Sequence, residues 1–157
     1  MKFLPILLLV GCAPAPFNIS QDHGPNNIDP AFQSLYTQFI DEANDAGVYL
    51  NVNQGVTIRF QDITATSPLG EVIGDSSTIG YGNATITIDP TFWNSNDIVS
   101  QQVLLFHELG HGVLDEIHTT NQMAIMNALI NYPMEYEATD LSGMVNQLFL
   151  STGSANN

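Results

Sequence analysis

His107, Glu108 and His111 are the residues whose types and spacing could do chemistry in this chain. On a helix advancing about 100° per residue, the two histidines lie roughly 40° apart and about 6 Å along the axis, so both imidazoles can reach one metal ion. Glu108 sits beside them, placed to take a proton from water at that metal rather than to ligate it. Zinc is the expected occupant and hydrolysis the expected chemistry, because zinc draws the pKa of its water toward neutrality. The weaker alternative is a solvated helix face that happens to carry two histidines. Of the chain's four histidines, His107, His111 and His118 fall together.

A catalytic zinc takes three protein ligands and keeps one position open. His118 follows His107 by eleven residues, which on an unbroken helix is about 16 Å along the axis and out of reach. It becomes a ligand only if the helix breaks, and Gly112 or Asp115-Glu116 is where a reversal can form. Asp115 shares the face but lies about 12 Å from His107 on a straight helix. Glu135 and Glu137 would have to come from a following helix. His118 is preferred, since neutral imidazole is a favoured zinc ligand and this one stands just past the turn.

The elements around the motif must hold it rigidly. Its helix starts near Ser95 or Asn96 and runs through Ile98, Val99, Val103, Leu104, Leu105 and Phe106. It is apolar nearly all round before His107, which predicts central burial with a sheet on one side and another element on the other. Upstream, Asp29 reads as an N-cap and Pro30 as the first helical position. Phe32, Leu35, Tyr36, Phe39, Ile40 and Ala43 then form one apolar stripe ending near Ala46-Gly47. Val56 to Asp62 and Ala84 to Asp89 alternate apolar and polar as half-buried strands, with Arg59 outward and Pro90 stopping the second. The Gly- and Ser-rich residues 67–82 read as turns around a short strand such as Ser77 to Tyr81, without the spacing of a phosphate-binding loop. Thr91 to Asn94 lead into the motif helix, with Phe92 and Trp93 as core or rim aromatics. Leu141, Met144, Val145, Leu148 and Phe149 mark a closing helix from Tyr136 to Leu150, and the polar residues 151–157 a disordered tail.

A length of 157 residues carries one core. Lys2 and Arg59 are the only basic side chains against sixteen carboxylates, which argues against nucleic acid as a partner. Solubility or a saline habitat explains such acidity, and steering of cationic peptides is the alternative. Met1 to Cys12 has one lysine, an apolar run, Gly11 and the only cysteine. It reads as an export signal too short to span a membrane, and an intramolecular disulfide is impossible. Leu9-Val10-Gly11-Cys12 resembles the lipobox of bacterial lipoproteins, which implies cleavage before Cys12 and its lipidation. An ordinary secretory signal is the alternative. Ala13 after Cys12 fits lipoproteins sent to an outer membrane, where the source has one. The layout expected is a signal peptide at 1–11, a lipidated Cys12 and Pro-, Gly- and Asn-rich tether at 12–28, a catalytic domain at 29–150 and the tail. His23 is a solvated residue of the tether.

At His107, Glu108, His111 and the later Ile125-Met126-Asn127 the chain resembles the metzincin zinc peptidases, whose pattern is H-E-x-x-H-x-x-G-x-x-H followed by a turn with a buried methionine. It also looks like small bacterial lipoproteins carrying H-E-L-G-H and a later I-M-N. The first resemblance covers roughly Asp29 to Leu150. It implies an α+β fold with a mixed sheet packed against the central motif helix and a C-terminal helix, Met126 as the turn methionine, and a monomeric zinc endopeptidase acting on peptide or protein. The substrate is expected extended along an edge strand such as Ala84 to Asp89. Two positions depart from the pattern: Leu114 replaces its glycine, and Ile117 its third histidine, with His118 one residue later. Met126 is not followed two residues on by tyrosine, and Tyr132 and Tyr136 are most simply rim or core residues. Two further classes stay open: a gluzincin-type peptidase using Glu135 or Glu137, and a non-catalytic zinc-binding surface lipoprotein with a closed site.

Overall fold

In the computed structural model, which describes residues 25–50, 55–64, 66–67, 70–71, 74–78, 84–128 and 138–154, the two alternating segments lie side by side. Asn27–Ile28 (β1), Val56–Phe60 (β2) and Ala84–Ile88 (β6) run parallel, and Gly74–Thr78 (β5) closes the far edge antiparallel to β6. The strand order is β1-β2-β6-β5, beside a small antiparallel hairpin of Thr66–Ser67 (β3) and Gly70–Glu71 (β4). Val56 and Ile58 are buried and Arg59 is exposed, as the period of two predicts. Among the described residues the fold is α+β, with helices Gln33–Asp45 (α1), Pro90–Ser95 (α2), Ile98–Leu114 (α3) and Ala138–Ser154 (α4).

Helix α3 is the central element. It touches β5 and β6 on one side and α1 and α4 on the other, the burial expected from its apolar circumference. Phe39 of α1 links the layers, with its ring 5.1 Å from both Phe106 of α3 and Phe149 of α4. Phe32, Phe60 and Trp93 form a second aromatic group near the start of α1. None of the helices described is long and apolar enough to cross a membrane.

Five expectations change. Ala84 to Ile88 is not an edge strand, because β2 and β5 flank it on both sides; alternation reports which face is buried, not how many neighbours a strand has. The glycine-rich stretch supplies the edge beside β6 as β5, which starts earlier than the Ser77 to Tyr81 expected. Asn27 and Ile28 belong to the sheet rather than to the tether, held by the Asp29 amide donating to Ile58 O at 2.9 Å and by the Val56 amide donating to Asn26 Oδ1 at 3.0 Å. Two residues are too few for a period to register. Helix α1 starts at Gln33 with Phe32 at its N-cap; Asp29 instead closes a turn by accepting from the amides of Ala31 and Phe32. Finally, α4 extends through Ser154, so the tail is helical over its first four residues.

Pro90 ends β6 and starts a separate helix. The Asp89 carboxylate accepts from the amides of Ile63 (3.0 Å), Phe92 (3.1 Å) and Thr91 (2.8 Å), which holds it below the usual carboxylate range. Asp97 then caps α3 through the Ser100 amide at 2.8 Å. Residues 79–83 and 129–137, and the leader with Cys12 and His23, lie outside the described residues.

Candidate metal centre

His107 is buried, His111 half-buried and His118 exposed, and all three project from or return to the C-terminal half of α3. That half lies close on the sheet: a Cβ on Gly112 would stand 3.0 Å from the Ala84 Cβ. Helix α3 then stops abruptly. Asp115 takes the left-handed conformation (φ 59, ψ 29), and the amides of Asp115 and Glu116 both turn back to the Gly110 carbonyl. Among the described residues Asp115 is the one non-glycine with positive φ, a conformation that aspartate tolerates better than most side chains. The reversal brings His118 back beside His107 and His111.

The three Nε2 atoms form a nearly equilateral triangle, 3.2 Å between His107 and His111, 3.0 Å between His111 and His118 and 3.2 Å between His118 and His107. His107 Nδ1 donates to the Ile125 carbonyl at 2.7 Å and His111 Nδ1 to the Glu116 carbonyl at 2.6 Å. These two bonds place the ring protons on Nδ1 and leave the Nε2 lone pairs pointing inward. Lone pairs so close repel unless a cation lies between them. Ligands on a tetrahedral ion at about 2.0–2.1 Å stand about 3.3 Å apart, close to the triangle observed, so the three histidines could hold a metal ion. Burial pushes the His107 imidazole down to about 4, opposed by the Ile125 carbonyl and reinforced by its two histidine neighbours. His118 is lowered too, by burial and then by His111. Both shifts favour the neutral, metal-binding form.

The turn containing Met126 forms the floor of the cluster. Met126 is buried, with Sδ against the bare α-carbon of Gly110, and its carbonyl accepts from the Thr119 amide at 2.8 Å. Asn127 Nδ2 closes the loop on the Asn121 carbonyl at 2.9 Å. Glu108 is also buried, on the β5 side of α3 beside Gly74.

His107 and His111 of α3 are thus brought together with His118, while the Glu108 carboxylate lies beside Gly74. Asp115 forms the turn and is not a member of the cluster, while Glu135, Glu137, Tyr132 and Tyr136 lie outside the described residues. The carbonyls of Ile125 and Glu116 carry no signal in sequence, since every residue has one. The turn residue Asp115 precedes the third histidine, His118, by three positions. No family model matches the chain, and no curated protein matches it either.

Proposed function

We propose that this chain is a zinc-dependent endopeptidase of metzincin type, exported and lipid-anchored to the cell envelope through Cys12. The observation that carries the reading is the triangle of inward-facing Nε2 atoms with Glu108 buried immediately after His107. His107, His111 and His118 would hold the zinc, with three neutral imidazoles leaving a fourth position for water or substrate. Zinc bound there supplies Lewis acidity, lowering the pKa of water and polarising a carbonyl. Glu108 takes the proton from the attacking water and passes it to the leaving amine. Strand β5, at the sheet edge beside Glu108, offers its outer backbone groups to an extended peptide.

The test compares parent protein and Glu108→Gln, each assayed for metal content and incubated with a mixed peptide library read by mass spectrometry. About one zinc in both, with cleavage reduced roughly 10²–10⁴-fold in the variant, is the expected result. Full turnover by Glu108→Gln removes the general base, and loaded metal without cleavage by the parent removes the peptidase.

A further inference from the structure

Gly74 opens β5 opposite Ile88 of β6. A Cβ built on it would lie 2.6 Å from Glu108 Oε1 and 3.0 Å from both Cδ and Cγ of the same side chain. Even a C–H···O contact keeps about 3.3–3.6 Å between carbon and oxygen, so one methyl group would force the carboxylate aside by roughly 0.7 Å. Backbone conformation does not explain the glycine. Gly47 is the glycine with positive φ among the described residues, and Gly74 is ordinary extended strand. Glycine inside a strand weakens it unless some group must come close. Here the group is the Glu108 carboxylate. Nor is α3 free to retreat from the sheet to make room, because α1 and α4 pack against it as well.

We infer that Gly74 is a positioning residue for Glu108: its missing side chain is the space in which the base is held between α3 and the edge strand. The geometry stands alone, while its catalytic consequence rests on the peptidase reading. A displacement of this size leaves the three histidines in place and moves only the proton acceptor. Misplacement by about 1 Å can cost 10²-fold.

The test uses Gly74→Ala, Glu108→Asp and their combination, alongside crystal structures of zinc-loaded parent and Gly74→Ala. Gly74→Ala should keep one zinc and the parent KM, lose kcat roughly 10–100-fold, and show Oε1 displaced from the strand. Glu108→Asp withdraws the carboxylate, so adding Gly74→Ala to it should cost little more. An undisplaced carboxylate in the Gly74→Ala structure overturns the inference, as do independent kinetic effects of the two changes. If Gly74→Ala does not fold, Glu108→Ala in the same chain must restore folding; continued failure puts the defect in the strand and overturns it equally. A parent that cleaves no peptide sinks the peptidase reading, and the crystal structures still decide whether Gly74 holds the carboxylate.

Discussion

The Nδ1 atom of His107 lies 2.7 Å from the carbonyl oxygen of Ile125, eighteen residues further along the chain. This one bond joins the central helix to the loop beneath it and sets which nitrogen of the imidazole faces His111 and His118. The neighbouring Met126 presses its thioether on Gly110, between the two helical histidines in sequence. Floor and histidines are therefore one packed unit.

Asp115 is expected to control delivery of His118. Asp115→Gly preserves the turn, because glycine adopts φ near 59 without a Cβ penalty, and zinc affinity should hold. A β-branched residue is strongly disfavoured there, so Asp115→Val should weaken binding toward the level of His118→Ala. That level should exceed the 10–100-fold loss typical of an outer-shell partner. Competition with a chromophoric chelator reads all three variants; parent-like affinity in Asp115→Val would detach the turn from site assembly, and in His118→Ala would remove the third ligand.

Gly110 has no room for a side chain, since an added Cβ would collide with Met126 Sδ. Gly110→Ala gains up to about 1 kcal/mol in helix propensity but overpacks the floor at a cost of about 1–3 kcal/mol. Thermal melts should show net destabilisation with weaker zinc binding, because Met126 and the Ile125 carbonyl move together. Adding Met126→Ala makes space, so the double variant should lose less than the sum of the two single losses. Additive losses would mean that the two residues do not meet.

Acid should destabilise the metal-free protein through His107. Its folded-state value of about 4 lies below the ordinary 6.5, so between these limits the unfolded chain binds the proton and the folded chain does not. Stability is then full above about pH 6.5 and falls as pH drops toward 4, by on the order of 3 kcal/mol from this group. Melts in chelator across that window, compared with His107→Gln, isolate the contribution. A parent and variant that lose stability in parallel would contradict it.

The facing of His107 and His111 was legible because it is local: both sit on one stretch of one helix, where spacing alone sets direction. Helix α3's burial was legible for the same kind of reason, from an apolar circumference that no solvent-facing helix would carry. The position of β6 within the sheet was not. Its alternation is equally consistent with an edge or an interior place, and the choice was made by a glycine-rich segment whose pairing depends on β6 itself.

By itself, then, the sequence determined the facing of His107 and His111, the core-facing stripes and the need for a helix break before His118. Tertiary structure alone decided that the break falls at Asp115, that the carbonyls of Glu116 and Ile125 set the imidazoles, and that Gly74 faces the carboxylate of Glu108. Local propensities act within a few residues. Contacts between backbone atoms far apart in the chain exist only once packing has brought them together.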